Sequence, residues 1–346
     1  MSNDAVTTNA RCAQAPGKLM LAGEYAVLGP AGEALAVAVA PCLKARAEPG
    51  EQWSLVRTDR GIAWEDGEAV PSELVFAHAA LQTVRDACAD AMVPHRISTH
   101  APAVTTDSTK RGLGSSASAA VAVTAALCAA TSATLDKRRV LDLALKAHRF
   151  AQGGLGSGYD VATITMGGLV HWRPARVAGE SVGGHEAETI DWPRGLHMIA
   201  GYTGQSASTP NFLERLQAIA SEDATELTHE LMALGRPVSG LIQAFRLGAL
   251  DEVLAGIEAC HHALVAWDLA RSLGVMTPAI EAMVCGAQLV GASAKVSGAG
   301  GGDSVVAFAK DPAVLEALAA AWTAEGFAPM TINVHHPGVS IVSETS

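Results

Sequence analysis

The chain has no Cys-x-x-Cys pair: its six cysteines, at 12, 42, 88, 128, 260 and 285, are scattered over 346 residues. That spacing suggests neither a zinc site nor a disulfide framework, and reduced core thiols are the expectation. A basic start followed by an apolar stretch is also missing, since Met1 to Arg11 is polar, and the longest apolar run opens with glycines and is broken by Ser and Thr. No signal peptide and no membrane span follow from this, and the expected location is cytoplasmic. Positive charge is in short supply: 24 Lys and Arg stand against 35 Asp and Glu, a formal charge of −11. Nucleic acid is therefore excluded as a partner, because it demands many Lys and Arg contacts to phosphate. There is no internal repeat and no low-complexity linker. The length allows two domains with a boundary near Trp192, residues 1–191 and 192–346. Nothing separates a monomer from a homodimer.

Three glycine-containing segments stand out against this background. In Lys110-Arg111-Gly112-Leu113-Gly114-Ser115-Ser116-Ala117-Ser118, glycines allow backbone N–H groups to approach an anion. The apolar run Ala119 to Ala130 then reads as a helix whose positive end faces it. Ser115 and Ser116 add hydroxyls that can meet phosphate or magnesium. The plainer alternative is a glycine turn that only caps a buried helix. The segment Ala15-Pro16-Gly17-Lys18-Leu19-Met20-Leu21 carries one Lys in an apolar run, so Lys18 either snorkels to the surface or meets an anion or carboxylate in a cleft. The third segment, Lys295-Val296-Ser297-Gly298-Ala299-Gly300-Gly301-Gly302-Asp303, brings backbone close to something or is a flexible turn.

The coarse pattern alternates strands and helices. Strands are expected at 11–15, 20–27, 35–47, 53–57, 96–100, 167–172, 196–201, 304–309 and 330–334. A helix is expected from Pro71 to Ala91 with Ser72 as cap, and another from Asp136 to about Gln152. Further helices are expected over Pro210 to Arg246, Asp251 to Leu273, Pro278 to Val290 and Pro312 to Gly326. Ala178 to Glu188 reads as an exposed excursion, and the Ala/Leu-rich helices after Pro210 as packing faces. The class is α+β.

Taken together, the three segments resemble those of the GHMP small-molecule kinase superfamily, which contains galactokinase, homoserine kinase, mevalonate kinase and phosphomevalonate kinase. They fall in that family's order and approximate spacing across nearly the whole chain. Lys110-Arg111-Gly112-Leu113-Gly114-Ser115-Ser116, Gly23-Glu24-Tyr25-Ala26-Val27-Leu28 and Gly300-Gly301-Gly302-Asp303 look most like the phosphomevalonate kinase branch. The same holds for Ala147-His148-Arg149-Phe150-Ala151-Gln152-Gly153-Gly154-Leu155-Gly156-Ser157-Gly158-Tyr159-Asp160-Val161-Ala162.

The resemblance implies a two-domain fold, with a left-handed βαβ nucleotide-binding N-terminal domain, an α/β C-terminal domain and ATP between them. It further implies transfer of the ATP γ-phosphoryl group to a small phosphorylated substrate, 5-phosphomevalonate. Mevalonate kinase and a catalytically silent metabolite sensor on the same scaffold are the alternatives.

Residue by residue, Lys110, Gly112, Leu113, Gly114, Ser115, Ser116 and Ala117 would hold the nucleotide, with Ser116 facing Mg2+. Asp160 falls in the loop of the superfamily's catalytic carboxylate, with Lys18 beside it. With an alcohol acceptor Asp160 would be a general base. With an ionised phosphate acceptor, Lys18 neutralises oxyanions and Asp160 positions Lys18, magnesium or substrate.

Acceptor contacts are expected from Glu24, Tyr25, Ser157, Gly158, Ser206, Ser208, Gly298, Ala299 and Gly300. For Tyr25 the alternative is core packing with its hydroxyl satisfied, and for Ser206 and Ser208 a capped helix start. Mevalonate kinases carry a glutamate on the helix before the aspartate. Counting back without gaps reaches Arg149 here, which suits a second anionic group better than a metal. The pairs His261-His262 and His335-His336 read as surface histidines.

Overall fold

The computed structural model describes residues 10–88, 92–102, 112–132, 134–174, 185–205 and 209–343. The chain opens with β1 (Arg11–Ala22) and β2 (Ala34–Pro49). β1 is one strand where the sequence suggested two. Its pairing with β2 slips between Ala15 and Gly17 and again between Met20 and Ala22. Pro16, which has no N–H to give a ladder, sits at the first slip and breaks the alternation that would have marked a continuous strand. The second expected strand ends early: after Ala22 the chain turns through Gly23, Glu24 and Tyr25 into a 3₁₀ turn, Ala26–Leu28.

Next come β3 (Ser54–Arg57), β4 (Ile62–Glu65) and α1 (Val75–Ala87). Ser72 does not cap α1, because a 3₁₀ turn, Ser72–Leu74, intervenes and its hydroxyl donates to Glu73 at 2.9 Å. β5 (His95–His100) precedes α2 (Ser115–Thr131) and α3 (Lys137–Ala151). Asp136 caps α3 as expected, its Oδ1 accepting the N–H groups of Arg138 at 2.9 Å and Arg139 at 3.3 Å. A short helix α4 (Tyr159–Met166) follows, then β6 (Leu169–Arg173) and β7 (Glu186–Ile190).

The second half contains β8 (His197–Tyr202), α5 (Thr209–Glu222), α6 (Ala224–Leu247), α7 (Leu250–Arg271) and α8 (Pro278–Leu289). It ends with β9 (Ser293–Ser297), β10 (Ser304–Ala309), α9 (Pro312–Ala324), β11 (Ala328–Thr331) and β12 (Ser340–Val342). The single helix expected over Pro210 to Arg246 is two. Asp223 starts the second by accepting from Thr225 N at 3.0 Å and Glu226 N at 2.8 Å.

The first sheet runs β12-β1-β2-β5-β3-β4, with β6 beside β2 and β7 beyond β6. β3 and β5 are parallel, and the remaining pairs are antiparallel. The antiparallel second sheet runs β11-β8-β10-β9. α2 is apolar almost all round and is buried among α1, α3, β1 and β2, as a helix without a polar face must be.

A polar network joins the two halves. Glu33 accepts from Arg173 Nε at 3.0 Å and from Ser239 Oγ of α6 at 2.7 Å. Burial opposes the Glu33 charge, but the Ser239 and Arg173 hydrogen bonds hold the carboxyl below its usual range. His171 lies 3.1 Å from Glu33 through Nε2 and 3.0 Å from Arg246 Nη2 through Nδ1. Because a guanidinium only donates, Nδ1 accepts, and His171 is the neutral Nε2–H tautomer. Its burial pushes its pKa down in agreement.

Candidate active site

The outer edge of β1 is filled piecewise. β12 pairs with Cys12, Ala13 and Gln14, Lys18 N–H donates to the Leu113 carbonyl at 2.8 Å, and Met20 N–H donates to Ser297 Oγ at 3.0 Å. One strand thus draws the glycine turn before α2 and the end of β9 to the same place. The side chain of Lys18 runs across Gly114. A Cβ at Gly114 would lie 2.9 Å from Lys18 Cγ and Cε, and its φ is +80°, so a side chain there would be both crowded and strained. Lys18 Nζ lies 3.4 Å from the Gly112 carbonyl and 5.5 Å from the centre of the Tyr159 ring. Burial works against the ammonium, yet Tyr159, Asp160 and Asp303 outweigh it and hold Lys18 above the usual amine range. It stays protonated.

Around the start of α2 the structure offers donors. Gly114 is left-handed, and no side chain caps the helix. Among the described residues nothing accepts the N–H groups of Ser115, Ser116 and Ala117, which fits an oxyanion ligand such as a nucleotide phosphate. Ser115 is exposed and Ser116 half-buried, while the Ala117 methyl packs in the core and leaves only its amide to contribute. Ser118 secures the helix to the Lys18 strand, donating to the Pro16 carbonyl at 2.7 Å. Lys110 lies outside the described residues, as do Ser206 and Ser208.

Asp160 stands in the first turn of α4 rather than in a loop. Gly158 precedes that helix at φ +78°, and a Cβ there would meet Leu145 Cδ2 at 2.5 Å, while the Ser157 carbonyl accepts from Trp172 Nε1 at 2.9 Å. Asp160 Oδ1 accepts the N–H of Val161 at 2.9 Å, and Oδ2 lies 3.6 Å from His148 Nε2. Arg149, the residue reached by counting, is exposed and its Nε donates to the Gly154 carbonyl at 3.0 Å. Successive helix residues diverge by about 100°, so only His148 of this pair faces Asp160, and Arg149 supplies no charge there.

Glu24 and Tyr25 stand behind the loop 298–303. Lys295, fully buried, donates to Glu24 and, at 2.5 Å, to the Val296 carbonyl, while Glu24 accepts Gly298 N–H at 3.4 Å. The Tyr25 hydroxyl donates to the Ala299 carbonyl, and its ring packs 5.0 Å from Trp267 and 6.2 Å from Phe212. Glu24 Oε1 and the Tyr25 hydroxyl are both engaged by the protein, as in the packing alternative for Tyr25. Asp268 steadies the loop from below by accepting from Val275 N at 3.0 Å and Met276 N at 2.8 Å, and the Val275 carbonyl accepts Gly301 N–H at 2.8 Å. Gly300 is packed on Val275, whereas Gly298 faces open space.

Replacing Lys295 with Met should cost about 3–5 kcal/mol of unfolding free energy, because Glu24 would be left buried and unpaired. A urea titration checks this. Adding Glu24→Gln should recover part of the loss, and full stability in the single variant would contradict the account.

Sequence reasoning passed over four residues here. His148 and Tyr159 were quoted within a motif without a role, Lys295 only opened one, and Asp303 closed the same segment. A Cβ on Gly112 would lie 3.0 Å from Asp303 Cβ, so that carboxylate borders the Lys18 turn. The histidine pairs also divide. His262 and His336 are exposed, but His261 is buried, and burial, Lys295 and His262 push it down to about 4. His335 is half-buried, with Nδ1 lacking a partner among the described residues. No described helix is long and apolar enough to cross a membrane.

A charged amine close to a helix N-terminus with free donors and to a carboxylate is an arrangement that phosphoryl transfer can use. Residues 76–168 match the GHMP kinases N terminal domain and residues 241–328 match GHMP kinases C terminal, so the chain belongs to the GHMP kinases, ATP-dependent enzymes of two-domain mixed helix and sheet fold. It is 29% identical over 330 residues to a phosphomevalonate kinase of Streptomyces sp. (strain CL190), covering 85% of this chain and 88% of that one. It is 28% identical to a mevalonate kinase of Thermococcus onnurineus, over 66% of this chain and 65% of that one. Among solved structures, phosphomevalonate kinase of Streptococcus pneumoniae in complex with phosphomevalonate and AMPPNP superposes with a TM-score of 0.78 at 21% identity, over 96% and 99% of the two chains. The Lin0012 protein of Listeria innocua gives 0.88 at 24% identity, over 97% and 100%.

Proposed function

We propose that the chain transfers the γ-phosphoryl group of ATP to the phosphate of (R)-5-phosphomevalonate, giving 5-diphosphomevalonate and ADP in the mevalonate route to isoprenoids. The observation that carries this reading is the buried Lys18 amine, beside the Gly112 carbonyl and the Tyr159 ring, between the uncapped start of α2 and the first turn of α4. The Streptomyces relative supports the acceptor, as it aligns over most of both chains.

In this reading Gly112, Leu113, Gly114, Ser115, Ser116 and Ala117 hold the nucleotide phosphates through backbone N–H groups and hydroxyls, and Lys110 is assigned to the same nucleotide. Ser116 Oγ would be the protein's ligand to Mg2+. ATP with its magnesium supplies the phosphoryl group and a counter-cation. Lys18 donates to the oxygens between donor and acceptor, where negative charge accumulates and water is excluded. Asp160 holds the ammonium in line. A phosphate acceptor is already ionised near neutral pH, so no base is needed to activate it. Ser157, Gly158, Ser206, Ser208, Gly298, Ala299 and Gly300 meet the acceptor, and Glu24 and Tyr25 act one layer back by holding the loop.

A coupled ADP-release assay offering mevalonate and 5-phosphomevalonate side by side tests the assignment. Turnover is expected with the phosphorylated acceptor. Turnover with mevalonate alone would transfer the chain to the mevalonate kinases, whose Thermococcus member is nearly as similar over a shorter span.

A further inference from the structure

His148 occupies an expensive position for a polar side chain. It lies in the last turn of α3 and is 3% exposed, with its ring tilted against Phe76 of α1 at 4.9 Å between centres. Its Nε2 is sealed from solvent and has no hydrogen-bond partner among the described residues. The atom it faces is Asp160 Oδ2, at 3.6 Å. Hydrogen bonds of this kind form at about 2.7–3.2 Å, so a shift of about half an ångström closes the gap. The other oxygen, Oδ1, is already fixed by Val161 N–H. With one oxygen tied to the start of α4, the second is the handle that sets the plane of the carboxylate. An apolar side chain packed on Phe76 would fill the same space without burying an unpaired nitrogen.

We propose that His148 is a positioning residue: its Nε2–H donates to Asp160 Oδ2 in the working enzyme and orients that carboxylate toward Lys18. The bond needs only a proton on Nε2, which the neutral Nε2–H tautomer and the cation both carry. His148 touches neither nucleotide nor acceptor in this scheme. The proposal rests on the role given to Asp160 and holds whichever acceptor is used.

The test is steady-state kinetics of the full chain, as ADP release, in a cycle of variants. His148→Leu is expected to lower kcat by about tenfold to a hundredfold, as loss of a supporting hydrogen bond commonly does, with the KM values of ATP and acceptor changed by less than about threefold. His148→Gln, whose amide nitrogen reaches the Nε2 position, should return kcat to within about fivefold of the parent. In an Asp160→Asn background His148→Leu should cost no more than about twofold, because the two act as one unit.

Wild-type turnover in His148→Leu beside a crippled Asp160→Asn would overturn this proposal alone. So would equal losses from His148→Leu in both backgrounds, or failure of Gln to rescue. Wild-type turnover in Asp160→Asn would instead overturn the reading of Asp160 itself. If the leucine variant does not fold, His148→Asn, which keeps polarity but sets the amide too far back, is expected to show the same kcat loss. Parental turnover there would sink the idea.

Discussion

Lys18→Met is expected to lower kcat by about a hundredfold to a thousandfold, the usual cost of removing one donor aimed at developing oxyanion charge, while KM for ATP moves by less than about threefold. The asymmetry follows from where the ammonium sits. In the proposed reading the nucleotide phosphates are held by the start of α2, whose free N–H groups the substitution leaves intact. Lys18 enters from β1 and approaches the side of that turn at the Gly112 carbonyl. Methionine keeps the apolar stem that fills the space beside Gly114, so folding is preserved and the loss belongs to charge. Arginine is not expected to rescue: Gly114 fits closely against the lysine stem, and a planar guanidinium cannot occupy the place of a compact ammonium. A KM for ATP raised as steeply as kcat falls would show that Lys18 binds the ground-state nucleotide instead.

Asp160→Asn should reduce kcat by about a hundredfold, and its pH profile separates the two acceptor chemistries. If the acceptor is a phosphate, activity falls on the acid side near its second ionisation, about pH 6, and the asparagine variant keeps that limb at lower height. The carboxylate then serves only to hold Lys18, whose charge it helps sustain. If the acceptor were an alcohol, Asp160 would be the base, and the acid limb would disappear with it. Rate measurements between pH 5 and 9, an experimental range of about four units around that ionisation, distinguish these outcomes. An asparagine variant at parental turnover would remove Asp160 from the reaction.

The glycine segments were legible because backbone close approach leaves a compositional mark: Gly114 is glycine since Lys18 passes it, and Gly158 since Leu145 does. Asp136 was legible as a cap because that chemistry is local. What escaped needed either tertiary contact or angular detail. The eight residues of α4 are too few to show a 3.6-residue period, and they follow a glycine run that reads as loop. Asp223 with Glu226 three residues on carries the same local cap chemistry, but the apolar pattern runs on through it and masks the new helix that begins there. Counting placed Arg149 opposite Asp160, while the rotation of α3 places His148 there. Lys295 and Glu24, which are 271 positions apart, meet only once the two sheets are assembled.

The makeshift outer edge of β1 bears on how the protein is born. Gln14 and its β12 partner Ser340 are separated by 326 positions, so at about 5–20 residues per second a ribosome needs roughly 15 seconds to a minute to supply that neighbour. For that interval the Cys12–Gln14 end of β1 presents unpaired backbone to other nascent chains, a template for mispairing. At Lys18 itself the edge is met earlier, by the Leu113 carbonyl, and the stretches on either side of it close last, when Ser297 and then β12 arrive.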